Sequence, residues 1–251
     1  MAPAALPGRL TWRVAEVVAT VDETPTVRTL HLVVAGWPGH RPGQHLDVRL
    51  TAPDGYQAQR SYSIATPADE ERLDLGVERL DDGEVSPYLN GELRVGDRIE
   101  VRGPIGGHFV WEAGHGGPVL LVGGGSGVVP LMAMTRARAR AASTVPMRWL
   151  SSSRTLADVV YRVEVERLAA AGDGFEVYQT LTRDAPQAWA GHRGRIDERL
   201  LAEVAWPVES AGQTFVCGPT SFVEAVAGNL VALGHPPATI KTERFGATGA
   251  P

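Results

Sequence analysis

A single cysteine, Cys217, occurs in a chain of 251 residues. One thiol excludes an intrachain disulfide, a cysteine-ligated iron–sulfur cluster and a multi-cysteine zinc site. The cytoplasm is therefore the expected compartment. Excess positive charge is missing as well. The net charge is −5 at pH 7, which argues against nucleic acid as a partner, because phosphate backbones call for a basic surface. No unbroken apolar run is long enough for a membrane span. The best candidate, "PVLLVGGGSGVVPLMAM" (Pro118–Met134), is split by adjacent glycines and by Pro130 into a buried strand, a loop and a helix. The opening "MAPAALPGRL" is broken by Pro3 and Pro7 and makes a poor secretion signal. No membrane association is expected. The seven histidines are scattered, and no metal site is expected either.

What is present reads as an ordinary globular protein, with 43% hydrophobic and 21% charged residues and no low-complexity segment. The length suits two domains. Up to about residue 112 the chain is a series of short strands: "TWRVAEVVATV", "VRTLHLVV", "QHLDVRL", "QRSYSIAT", "RLDLGVERL" and "DRIEVRG", separated by Gly, Pro or Asp pairs. Such spacing predicts an antiparallel Greek-key barrel, interrupted by one short helix in "EVSPYLNGEL". The loop "EAGHGGP" (Glu112–Pro118) marks the boundary, giving domains over 1–113 and 114–251.

Beyond it, strands and helices alternate, predicting a parallel sheet covered on both faces. "PVLLVGG" leads into a helix over about Gly127–Ala141, and "MRWLSSS" into one near Thr155, with Thr155 and Asp158 as a capping box. "FEVYQTL" and "QTFVCG" are further strands; the latter precedes a helix with Ser221 and Glu224 as capping box, and "ATIKTERF" is a final strand. In "RARAR", Arg136 and Arg140 share a helical face with Arg138 nearly opposite, which reads as a solvated helix end.

Two stretches point to ligands. Within "QRSYSIAT" (Gln59–Thr66), alternation projects Arg60 and Tyr62 from one strand face, a planar cation beside an aromatic plate. The loop "VGGGSGVVP" joins a buried strand to a helix N-terminus, where glycines let backbone N–H groups approach an anion. The G-x-G-x-x-G spacing is not quite met, because Val128 or Pro130 falls at its last position. The next strand ends in "SSSR" (Ser151–Arg154) without a carboxylate, and a later one in "LTR" (Leu181–Arg183); "GHRGR" adds Arg193 and Arg195. Hydroxyls and guanidinium groups at one sheet edge suit a 2′-phosphate, and so favour NADPH over NADH, with NADH still possible.

Six motifs in order resemble the ferredoxin–NADP reductase superfamily: "RSYS" (Arg60–Ser63), "GEVSPYL" (Gly83–Leu89), "GPIGGHF" (Gly103–Phe109), "GGGSGVVPLMAM" (Gly123–Met134), "VCGPTSF" (Val216–Phe222) and "ERFG" (Glu243–Gly246). The resemblance implies a flavin-binding barrel followed by a nicotinamide-binding α/β domain, and hydride transfer from NAD(P)H to flavin N5. On that reading Arg60 and Ser61 belong to the flavin motif, Tyr62 packs on the isoalloxazine and Ser63 sets a hydroxyl near N5. Gly83, Glu84, Val85 and Ser86 surround the flavin diphosphate. Gly124, Gly125, Ser126 and Gly127 hold that of the nicotinamide dinucleotide, with Ser153, Arg154, Thr182, Arg183 and Arg195 toward its 2′-phosphate. Cys217, Gly218 and Pro219 border the nicotinamide, while Glu243 and Phe245 lie at the reacting edge. Cys217 reads equally as a small buried hydrophobe. Regular alternation would turn Ser63 away from Tyr62, so the strand must bulge there or the flavin must lie over its end.

FAD is expected over FMN from family frequency, with His108 and Trp111 suitably placed for its adenine. Many relatives carry a fused ferredoxin-type domain. No such segment is seen here, so electrons are expected to leave to a separate protein, a ferredoxin or an oxygenase component, with the chain a monomer. Direct reduction of free flavin, a quinone or a ferric chelate is one alternative; a nucleotide-binding regulatory subunit without turnover is another.

Overall fold

In the computed structural model, which describes residues 10–68, 72–210 and 212–245, each sequence rhythm builds its own sheet. The first sheet holds β1 (Trp12–Asp22), β2 (Val27–Val34), β3 (His45–Thr51), β4 (Gln57–Ser63), β5 (Arg72–Glu78) and β6 (Arg98–Ile105). The strands pair antiparallel in the order β4-β3-β6-β1-β2-β5. A bridge between Ile64 and Leu75 brings the two edge strands together, so the sheet curls into a nearly closed barrel. Alternation fills its interior with Val17, Leu30, Leu32, Leu46, Val48, Leu75 and Val101. The helix α1 (Ser86–Gly91) plugs one end with Leu89, flanked by Val85 and Leu93.

The second sheet is wholly parallel, in the order β10-β9-β8-β7-β11-β12. Its strands are β7 (Val119–Gly124), β8 (Met147–Thr155), β9 (Phe175–Asp184), β10 (His192–Arg193), β11 (Gln213–Pro219) and β12 (Ile240–Phe245). Four helices cover it: α2 (Val128–Arg140), α3 (Arg162–Ala169), α4 (Glu198–Val204) and α5 (Thr220–Ala232). In β7, Val119 and Leu121 face α2 and α3, while Leu120 and Val122 face α4 and α5; this period of two separates two apolar cores. The core under α2 also takes in Val27, Ala65, Phe109 and Trp111 from the barrel half, so the halves share a buried seam.

Several local expectations need correction. Thr155 and Asp158 do form a capping box, but on the single 3₁₀ turn Leu156–Asp158; α3 starts only at Arg162, after Tyr161 adopts a left-handed conformation. Ser221 lies inside α5, whose N-cap is Pro219 without any side-chain cap. The strand β10 and helix α4 were not anticipated. The arginines of α2 are not a solvated end either. Arg138 is 2% exposed and pairs with Asp173 at 2.9 Å, while Arg136 crosses the seam to the Asp74 carboxylate and the Ala65 carbonyl at 3.1 and 3.0 Å. Its other side grips Glu164 at 2.7 Å, and its guanidinium lies 5.3 Å from the Tyr161 ring centre. The first nine residues and Gly246 lie outside the described residues. Among the described residues no helix is long and apolar enough to cross a membrane.

Candidate active site at the domain seam

On β4, the Tyr62 ring packs against the barrel core, and burial pushes its phenol up, opposed by the nearby Arg60 guanidinium. The two side chains thus share a face, as alternation requires. Arg60 donates to the Glu84 carboxylate at 2.9 Å and to the Gln59 carbonyl at 2.7 Å. Glu84 also accepts from the Tyr56 hydroxyl at 2.6 Å, and this bond, with Arg60 assisting, holds the carboxyl below its usual range despite some desolvation. Ser61 turns the other way, and its hydroxyl donates to Asp47, which also accepts from Arg102. The loop from Leu80 to Ser86 is closed by bonds from Gly83 N–H to the Leu80 carbonyl and from Leu80 N–H to the buried Ser86 hydroxyl. Val85 sits buried at the N-cap of α1 with no side chain capping the helix. A cavity of ≈ 690 Å³ opens beside Glu84 at the barrel mouth, lined by Leu50, Tyr56, Tyr88 and Ile99 among others.

The alternation problem at Ser63 has a definite outcome. The β3–β4 register is unbroken from Thr51↔Gln57 to His45↔Ser63, so no bulge turns the serine. Ser63 is the last residue of β4, and the shift in register falls instead between β3 and β6, at His45 to Asp47. Trp111 is fully buried, with its indole N–H on the Gly116 carbonyl. It is a core residue of the seam and cannot face an adenine, whereas His108 is exposed.

Across the seam, β7 runs through Gly124 into the 3₁₀ turn Gly125–Gly127 and then α2. Gly125 has φ +56°, and a Cβ on Gly127 would collide with the Cys217 carbonyl, so this loop needs glycine at both positions. Ser126 donates to the Glu78 carboxylate of the barrel half at 2.6 Å. Phe222, unassigned by the sequence reading though it ends the quoted "VCGPTSF", stacks where Cβ atoms on Gly124 and Gly218 would come within 3.0 and 2.7 Å. At the ends of β8 and β9, Thr182 donates to the Ser153 carbonyl at 3.3 Å, and Arg154 and Arg183 are exposed. Neither they nor the exposed Arg195 has a hydrogen-bonded or ion-paired partner among the described residues. Arg193, in contrast, donates to the carbonyls of Ala185 and Pro186.

The two halves also touch where β3 meets β12. His45, the ladder partner of Ser63, lies 3.4 Å from Glu243, the ladder partner of Cys217. One Glu243 oxygen is buried without any partner. Cys217 is 1% exposed, and burial first, then the neighbouring Glu243, pushes its thiol well up, outweighing the Gly218 backbone bond. Phe245, 37% exposed, is paired with Pro219 at the end of β12. The end of β4, through its ladder neighbour His45, is thus linked to Glu243 beside Cys217. His45 was missed because a lone histidine in "PGQHL" carries no local signature.

Residues 25–111 match the family described as Oxidoreductase FAD-binding domain, and residues 121–228 the Oxidoreductase NAD-binding domain. Ferredoxin–NADP reductase B of Sorangium cellulosum is 34% identical over 92% of this chain and 96% of its own length. The chain belongs to the ferredoxin–NADP reductase superfamily. The antiparallel barrel is thus the FAD-binding part and the parallel sheet the NAD-binding part of a flavin-dependent NAD(P)H reductase family member. The glycine betaine monooxygenase reductase subunit of Chromohalobacter salexigens is 33% identical over 93% of this chain but only 64% of the relative, so the chain spans just under two thirds of its length. Among solved structures, the FAD/NAD-binding domain of a nitric oxide dioxygenase from Vibrio cholerae superposes with a TM-score of 0.83 at 26% identity, covering 93% and 98% of the two chains. The donor set fits a flavin dinucleotide: an exposed guanidinium beside an aromatic face and an uncapped helix start.

Proposed function

We propose that this chain takes electrons from NAD(P)H, with NADPH favoured, through bound FAD, and delivers them to a separate redox protein such as an oxygenase component or a ferredoxin. FAD, when bound, supplies a centre that accepts two electrons together and releases them singly. Arg60 holds its diphosphate by a charge-assisted fork, and Tyr62 offers an aromatic face to its ring system. Arg60 must then exchange Glu84 for the diphosphate. The backbone of Gly124–Gly127 holds the diphosphate of the dinucleotide substrate. Arg154, Arg183 and Arg195, without partners among the described residues, take the 2′-phosphate.

The observation that carries this reading is the approach of His45 to Glu243 at 3.4 Å, because it brings the end of the flavin motif and the end of the nicotinamide motif together. Glu243, whose side chain is 25% exposed, can accept from an amide N–H of the substrate and so orient it, while buried Cys217 shapes the pocket wall. The separate acceptor is supported by the relative named as the reductase subunit of a monooxygenase.

The test is anaerobic mixing of the FAD-loaded protein with NADPH or NADH while the flavin colour is followed. Bleaching that is faster with NADPH, followed by recolouring on addition of a ferredoxin-type protein, is the expected result. Colour that survives both coenzymes would refute the function. Recolouring by ferricyanide but by no ferredoxin-type protein would refute the protein acceptor.

A further inference from the structure

Glu78 ends β5 in the FAD-binding half, five residues before Gly83, yet its carboxylate reaches the opposite half and accepts from Ser126 at 2.6 Å. Ser126 is the one hydroxyl in the Gly124–Gly127 loop. The bond is short, as expected when a hydroxyl donates to an anion. No arginine, lysine or histidine pairs with Glu78 among the described residues, so its charge is unneutralised. The side chain is only partly exposed, and β5 packs directly against the 3₁₀ turn carrying Ser126. A negative group has therefore been built into the place where a dinucleotide's own negative group is expected, and it occupies a donor that group would use.

We infer that Glu78 is an internal competitor of the dinucleotide diphosphate: it holds Ser126 while the loop is empty and weakens the hold on NAD(P)⁺ by like-charge repulsion. The inference rests on the nucleotide site proposed above and deepens it. An arriving diphosphate has to take Ser126 from Glu78, and the carboxylate has to swing aside or remain close to a second anion. Both cost affinity, and neither depends on the 2′-phosphate. The effect is thus shared by NADP⁺ and NAD⁺, unlike the contribution of the strand-end arginines. Weak retention of the oxidised coenzyme speeds its departure after turnover, leaving the loop held by Glu78 for the next molecule.

The experiment is isothermal titration calorimetry of FAD-loaded wild type, Glu78→Gln and Ser126→Ala with NADP⁺, NAD⁺ and adenosine 2′-monophosphate. Glutamine keeps the shape and still accepts from Ser126, so folding is undisturbed. Glu78→Gln is expected to tighten NADP⁺ and NAD⁺ by about tenfold each and to leave adenosine 2′-monophosphate, which lacks the diphosphate, unchanged. Ser126→Ala is expected to weaken both dinucleotides and leave the monophosphate alone. Unchanged or weaker dinucleotide binding in Glu78→Gln overturns the role of Glu78, weakening in particular making it a ligand for a hydroxyl. Wild-type protein that binds neither dinucleotide overturns this role and the proposed nucleotide site together.

Discussion

The cations proposed to meet the two ligands are treated in opposite ways. On the barrel side Arg60 is already paired with Glu84 at 2.9 Å. At the ends of β8 and β9, and in the loop after β10, Arg154, Arg183 and Arg195 stand exposed and unpaired among the described residues. The difference matches the residence expected of the two proposed ligands. A flavin that stays can displace an internal carboxylate once, whereas a coenzyme that comes and goes on every turnover gains from cations that need no such exchange. Surface ion pairs contribute little, so Glu84 is a weak obstacle to a multivalent diphosphate.

The comparison has meaning only while the halves keep their relative position, and Arg136 gives the largest expected effect. Replacing it by alanine removes the cation shared by Glu164 and Asp74 at a largely buried seam, leaving Asp74 only His31, and should cost ~3 kcal/mol, with a Tm lowered by about 8 °C. Arg162→Ala, on α3, removes a loose exposed pair with Glu166 at 3.9 Å and should cost under ~0.5 kcal/mol. Equal melting curves for the two variants would return Arg136 to the solvated helix end read from the sequence.

Next comes the barrel cation itself. Arg60→Ala should weaken FAD by about thirtyfold, since a charged hydrogen-bonding group is worth ~2 kcal/mol. The variant should leave a column largely colourless, with fluorescence titration of added FAD giving the loss. Glu84→Gln removes the charge that competes with the diphosphate, while Arg60 keeps its bond to the Gln59 carbonyl, and should bind FAD at least as tightly as wild type. Tighter binding in Arg60→Ala would reverse the contrast between the halves.

Arg183→Ala acts on the unpaired side. It should raise KM for NADPH about tenfold, ~1.4 kcal/mol, and leave the NADH rate roughly intact. Equal losses with both coenzymes would remove Arg183 from the 2′-phosphate. Arg193→Ala sharpens the point: its guanidinium already serves the Ala185 and Pro186 carbonyls, so it should not alter the preference between coenzymes.

Periodicity and punctuation are local properties, which is why both sheets and the two glycine-bearing loops could be read from the chain alone. Local reading also set its errors. Thr155 does cap a turn, but nothing nearby in sequence says that Tyr161 will turn left-handed and delay the helix. The missed helix α4 had a legible start, since Asp197 accepts from Leu200 N–H and Leu200, Leu201 and Val204 form its buried stripe. The contacts His45–Glu243, Glu78–Ser126 and Arg136–Asp74 were illegible for another reason. Each joins the two halves, and each partner alone is an ordinary polar residue in a strand, loop or helix. Ser63 could be named from its motif, yet only the His45↔Ser63 register decided that no bulge turns it.

Cys217 should show the smallest effect of all. It lies opposite Gly123 and Glu243 in the ladders, at the edge where the halves meet, and its place invites a chemical role. Its environment argues against one. With 1% exposure the thiolate is poorly solvated, and the adjacent Glu243 carboxylate disfavours a second negative charge. Both effects raise the thiol's pKa, so at any pH from 7 to 9 the thiolate fraction is below that of a free cysteine, and nucleophilic reactivity falls with it. Iodoacetamide should therefore label the folded protein slowly and with little pH dependence over that range, while denatured protein reacts rapidly. Cys217→Ser should retain most of the turnover with NADPH. Fast labelling near pH 7 would mean a stabilised thiolate at the seam.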